Sequence, residues 1–110
     1  MTSASLETLR KLIEKINTIQ LEVIIGVAHT PNFDNKKLEN RETAQYCDQV
    51  KQVFLRRGFD GTKFYFECQS MPHMKIPGYP IGRLELEVVG TIKDNEKLRK
   101  VTMAVDIFFE

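Results

Sequence analysis

Near residue 20 the apolar residues of this chain change their spacing, and nothing else in the sequence constrains the fold as tightly. Leu6, Leu9, Leu12, Ile13, Ile16 and Ile19 recur every three or four positions, with Glu7, Arg10, Lys11, Glu14 and Lys15 between them. That spacing lines one face of an α-helix. From Leu21 the period falls to two: Leu21, Val23, Ile25 and Val27 are expected on one face of a strand, and Glu22, Ile24, Gly26 and Ala28 on the other. A chain that makes this switch must bury a helix stripe against one face of a sheet. Ser5 is the expected N-cap of the helix, with Glu7 in its first turn.

The rest of the chain repeats the two periods. Thr30, Pro31, Asn32, Asp34 and Asn35 form a loop around Phe33, and a second helix is expected from about Lys36 to Arg57. Its stripe is Thr43, Tyr46, Cys47, Val50, Val53 and Phe54, ending at Gly58. Leu38 falls off that stripe, which predicts a regular start a few residues later than Lys36. Asp60-Gly61 then turns the chain into a strand over Thr62–Gln69, with Phe64, Phe66 and Cys68 alternating against Lys63, Tyr65, Glu67 and Gln69. Arg83–Ile92 and Lys100–Phe109 alternate in the same way and are joined as a hairpin through Lys93–Glu96.

The expected architecture is α+β, a two-layer sandwich of order α-β-α-β-β-β over a single domain 1–110. Two helices pack on one face of a four-stranded mixed sheet. The first two strands, joined across a long helix, pair in parallel, and the last two extend the sheet antiparallel. This order is similar to that of small helix-plus-sheet domains in ring-forming assembly proteins, phage tail-terminator proteins among them. The similarity is one of element order, without a shared motif.

Charge excludes some partners. Lys and Arg number 16 against 15 Asp and Glu, a net +1, so the chain lacks the field of a general nucleic-acid or membrane-surface binder. No apolar run approaches the roughly 20 residues needed to span a bilayer. The 2 cysteines, Cys47 and Cys68, are too few for a disulfide scaffold, and nothing ahead of them reads as an export signal. A cytoplasmic or otherwise intracellular protein with reduced thiols is expected. No Asn-x-Ser/Thr acceptor occurs.

The least ordinary segment is Met71–Gly82. It holds Pro72, Pro77 and Pro80, all but one of the 4 prolines, with Met71, Met74, Ile76, Tyr79 and Ile81. A long solvent-facing loop is normally polar, so an apolar, proline-stiffened one is expected to cover something, either its own sheet or a partner. Ile24, Tyr65, Val89 and Phe108 fall on the expected solvent face, interleaved with charges, as at an interface core with a charged rim. The leading functional expectation is therefore a non-enzymatic protein-interaction or assembly module. It would oligomerise or dock on a protein partner through Met71, Met74, Ile76, Tyr79, Ile81, Tyr65 and Phe108, in a ring-like or viral-type assembly. No cofactor is expected.

Two other readings compete. Lys51, Arg56, Arg57, Lys63, Lys75 and Arg83, with Tyr65 and Tyr79 to stack on bases, suggest single-stranded nucleic-acid binding. Against it, the glycine positions of the RNA-recognition signature are missing from Thr62–Gln69, and Glu67, Glu85, Glu87 and Asp106 share the face. Glu85 and Glu87 read as a solvated face, offset by Lys63 or Lys100 on neighbouring strands. Alternatively, His29 and Cys68 end the two parallel strands, where ligands collect in open sheets, with Asp34 and His73 nearby. Those four could form a Cys/His nucleophile pair or an N/S metal site, but no compact motif links them. Gly78-x-x-x-Gly82 lacks the Lys-Ser/Thr ending of a phosphate loop.

Overall fold

The computed structural model describes residues 1–30, 35–67 and 81–109. The element order is α1 (Ser3–Ile16), β1 (Gln20–His29), α2 (Lys36–Arg56), a short 3-10 turn (Gly61–Lys63), β2 (Phe64–Glu67), β3 (Gly82–Asp94) and β4 (Lys97–Phe109). The strands form one mixed sheet of order β2-β1-β3-β4. β1 pairs in parallel with β2, β3 runs antiparallel to β1, and β4 runs antiparallel to β3. This is the expected α+β architecture.

Both helices cover the same side of the sheet. Leu9, Leu12, Ile13 and Ile16 of α1 and Cys47, Val50 and Phe54 of α2 join Ile24, Ala28, Leu84, Leu86, Val88, Ile107 and Phe109 of the sheet in one core. Among the described residues, no element packs on the other face.

Several local expectations are corrected. Thr2, not Ser5, caps α1: its side chain accepts from the Ser5 amide at 3.1 Å. Ser5 lies inside the first turn, buried, and its Oγ accepts from the Phe108 amide at 2.8 Å. α2 is regular from Lys36, because the Asn35 side chain caps it by accepting from the Leu38 amide at 3.1 Å. β2 starts at Phe64 rather than Thr62, since the Asp60 carboxylate holds the Thr62 amide at 2.9 Å in a turn. Those bonds to Thr62 hold the Asp60 carboxyl below its ordinary value. The hairpin is tighter than expected and longer in its strands. Asn95 and Glu96 alone make the turn, with φ of 48° and 68°, the left-handed pair of a two-residue hairpin loop.

The largest correction concerns β1. Ile24 and Ala28 are buried in the core, and Val23, Ile25 and Val27 lie on the opposite, helix-free face. Between Leu21 and Val23 the pairing with β3 shifts register: Leu21 lies opposite Gly90 and Val23 opposite Val89. The extra residue is a β-bulge, which reverses the side-chain parity of everything after it. Leu21 therefore still packs against the core, as expected, whereas Ile24 belongs to the core and not to the solvent face.

Cys47 is 2% exposed, in the core as its stripe predicts. It is disulfide-bonded, which overturns the expectation of reduced thiols at this residue. The chain's other cysteine, Cys68, lies outside the described residues.

Candidate functional site

The helix-free face is built from alternate residues of the four strands. Across it, Tyr65 lies beside Ile25, Ile25 beside Glu87, and Glu87 beside Ala104. The next row reads Glu67, Val27, Glu85 and Asp106, and the last described row His29, Arg83 and Phe108. Val23, Ile25 and Val27 are half-buried, while Tyr65 is 66% exposed. The middle of this face is a shallow depression of about 320 Å³ walled by Ile25, Val27, Glu85, Glu87, Ala104 and Asp106. A second hollow of about 640 Å³ wraps round the β2 edge, lined by Val23, Ile25, Tyr65 and Glu67 on this face and by Lys51, Phe64 and Phe66 on the helix side. An apolar strip is thus flanked by four carboxylates.

Those carboxylates are offset from one end. Arg83, buried on β3, reaches Glu85 at 3.0 Å and Asp106 at 3.7 Å, and His29 Nε2 lies 3.1 Å from the same Glu85. Neither Lys63 nor Lys100 does this. Lys63 donates to the Leu21 carbonyl at 2.8 Å, and Lys100 pairs with Thr91 far along the hairpin. Glu67 and Glu87 remain exposed, so the face carries a net negative field at its centre.

On the helix side of the same sheet end, Thr30 donates to the Glu42 carboxylate, and the Tyr46 hydroxyl donates to it at 3.5 Å. The Tyr46 ring stacks on Phe109, with centroids 4.3 Å apart, and lies over Gly82, where an added Cβ would stand 2.2 Å from the ring. Burial pushes the Tyr46 phenol above its ordinary value; the Thr30 hydrogen bond opposes the rise, and Glu42 adds to it. His29 and Thr30 are neighbours in sequence but serve opposite faces. Sequence reasoning missed Glu42 and Thr30, whose only signal was their nearness to the carboxyl end of a parallel strand.

The expected sites distribute as follows. Of the partner-binding set, Met71, Met74, Ile76 and Tyr79 lie outside the described residues, as does the greater part of the Met71–Gly82 loop. Ile81 is half-buried where the chain enters β3. Tyr65 and Phe108 share the helix-free face, but β2 and β4 are its opposite edges, so they are not neighbours. Three strand spacings, roughly 14 Å, separate the two strands.

The cations of the nucleic-acid reading do not assemble. Lys51 sits over the Phe66 ring at 5.2 Å, Lys63 is turned to the Leu21 carbonyl, and Arg83 is engaged by Glu85 and Asp106. Arg56 and Arg57 are exposed at the end of α2, and Lys75 lies outside the described residues. Of the Cys/His set only His29 is described, and Asp34, Cys68 and His73 lie outside. Among the described residues, no group of three or more His, Cys, Asp or Glu side chains is placed to hold a metal ion. No described helix is long and apolar enough to cross a membrane. No family model, curated protein or solved structure matches this chain.

Proposed function

We propose that this chain is a non-enzymatic protein-interaction and assembly module whose helix-free sheet face docks a protein partner. The observation that carries the reading is the strip of Val23, Ile25, Val27 and Tyr65, covered by no described element, between Glu67, Glu85, Glu87 and Asp106. Apolar contact supplies affinity at such a face, and the carboxylates select a basic partner and speed its approach.

The probe is a fluorescent extended peptide alternating Lys with Val, set against a single-stranded oligonucleotide. We expect the peptide to bind with salt-sensitive affinity, and Tyr65→Asp and Glu87→Lys each to weaken it tenfold or more, with unchanged circular dichroism. Retention of the oligonucleotide at low salt, with no peptide binding, would replace this reading by nucleic-acid binding.

Location turns on the thiols. The intracellular location suggested by composition implies reduced cysteines, whereas Cys47 is disulfide-bonded, and disulfides persist chiefly in oxidising compartments. Thiol titration of the denatured, unreduced protein should find no free thiol. Two reactive thiols per chain, matching the 2 cysteines, would restore the reduced, intracellular reading.

A further inference from the structure

β4 is an edge strand 13 residues long, paired to β3 without a register shift and free of proline. Its outward main chain can be located. The Phe108 amide donates to Ser5 Oγ and the Phe108 carbonyl accepts from the Thr2 amide, so the main-chain groups of Phe108 point away from β3 and α1 closes the edge there. In an antiparallel pair this direction alternates along the strand. The main-chain groups of Lys100, Thr102, Ala104 and Asp106 therefore also point outward, to an edge that no described strand pairs.

We infer that this edge pairs with β4 of a second copy, antiparallel about a two-fold axis at Met103, and joins two sheets into one. The inference rests on the assembly reading above and names the self-contact. Three observations fix the occupant and the register. Met103 is the midpoint of Lys100–Asp106, so this axis pairs that stretch of the two strands completely and leaves Leu98 beside the end that α1 closes at Phe108. It sets Lys100 against Asp106 of the second copy at both ends of that stretch, and Thr102 against Ala104 between them. On the helix side it sets Val101 against Val105 and Met103 against itself, beside an open groove of about 370 Å³ between α1 and β4 lined by Thr8, Lys11, Leu12, Lys15, Met103 and Val105.

Neighbouring registers lose this match. An axis at Thr102 sets Leu98 against Asp106, and an axis at Val101 sets Glu96 against Asp106. Parallel addition in register stacks Lys97, Arg99 and Lys100 on their own copies. The Asp106 carboxylate is 42% exposed and only 3.7 Å from Arg83 at its nearest, which leaves it open to a second cation. Exposed edges are a hazard that proteins blunt with charge; here the charges at the two ends are complementary under a two-fold. Two-fold closure also ends the addition at a dimer.

Light scattering during size-exclusion chromatography tests this across a wide concentration range. The wild type should reach twice the 12.8 kDa chain mass. Thr102→Pro, which deletes one outward amide and no bond to β3, should be monomeric at the same concentrations. Lys100→Asp and Asp106→Lys should each be monomeric, because each homodimer then sets like charges together, and an equimolar mixture of the two should dimerise. Circular dichroism and melting curves identify any variant that fails to fold, and the mixing experiment stands independently of Thr102→Pro. A wild type that stays monomeric throughout, or a dimer that survives both Thr102→Pro and Asp106→Lys, overturns the edge pairing. Tyr65→Asp should leave the dimer intact while weakening the peptide; a dimer lost in Tyr65→Asp but kept in Thr102→Pro would place self-association on the sheet face instead. Peptide binding by a monomeric wild type would leave the docking reading standing without the dimer.

Discussion

Replacing Phe54 by alanine should cost about 3–5 kcal/mol of folding stability, the usual range for emptying a fully buried aromatic site. Phe54 is 0% exposed, near the end of α2, where it meets Phe59 edge-on at 5.3 Å and Phe64 at 5.8 Å. It ties the helix to the turn after it and to edge strand β2. Its loss opens a cavity that Phe59 and Phe64 cannot fill without leaving their own contacts, so little collapse offsets the deletion. A domain of this size has only about 5–15 kcal/mol in total, and a loss of about 3 kcal/mol alone lowers Tm by roughly 12–24 °C. Calorimetry should show this drop. The neighbouring Leu55→Ala, at a side chain 43% exposed, should stay within about 0.5 kcal/mol of the wild type. Equal losses at the two positions would show that α2 is not anchored through Phe54.

The contrast between adjacent residues was legible in the sequence, because it needs only the helical period. Val50 and Phe54 fall on the stripe and Leu55 does not, and the structure buries them accordingly. The alternation of β3 and β4 was legible for the same reason, and the parallel pairing of β1 with β2 follows from the long helix between them. Position across the sheet was not legible. That Tyr65 and Phe108 stand on opposite edges depends on β3 inserting beside β1, a choice made by long-range pairing rather than by any local pattern. At the site, spacing places Arg83 and Glu85 on one face, but residue type alone groups Arg83 with the cations of a nucleic-acid surface. Its ion pair with Asp106 becomes visible only once Arg83 is known to lie opposite Phe108, two residues from Asp106. Thr30 and Glu42 come together across the β1–α2 connection, with no periodic signal to join them.

The face that β1 presents is not legible in its own alternation, because its parity is set by its neighbour, and this makes Gly90→Ala the more informative of the stability tests. Gly90 lies opposite Leu21, where the register shifts. A Cβ there would stand 2.6 Å from the Gln20 carbonyl oxygen and 2.6 Å from Ile19 Cδ1. The side chain of Ile19 can rotate, but the carbonyl belongs to the strand and moves only with it. The bulge must open, so the expected cost is about 1–3 kcal/mol or somewhat more, as for overpacking a tight site. Gly61→Ala serves as the control, since its nearest neighbour would be Leu55 Cδ2 at 3.5 Å. The bulge is also what sends Val23, Ile25 and Val27 to the helix-free side. Gly90→Ala should therefore weaken peptide docking even below its melting temperature, and amide exchange should quicken at Leu21–Val23 before it does at Leu84–Leu86. A variant as stable as the wild type, with docking unchanged, would mean that the close approach of β1 to Gly90 does not hold the bulge. In that case the orientation of Ile25 and Val27 would have to come from their cross-strand neighbours Tyr65, Glu85, Glu87 and Glu67 alone.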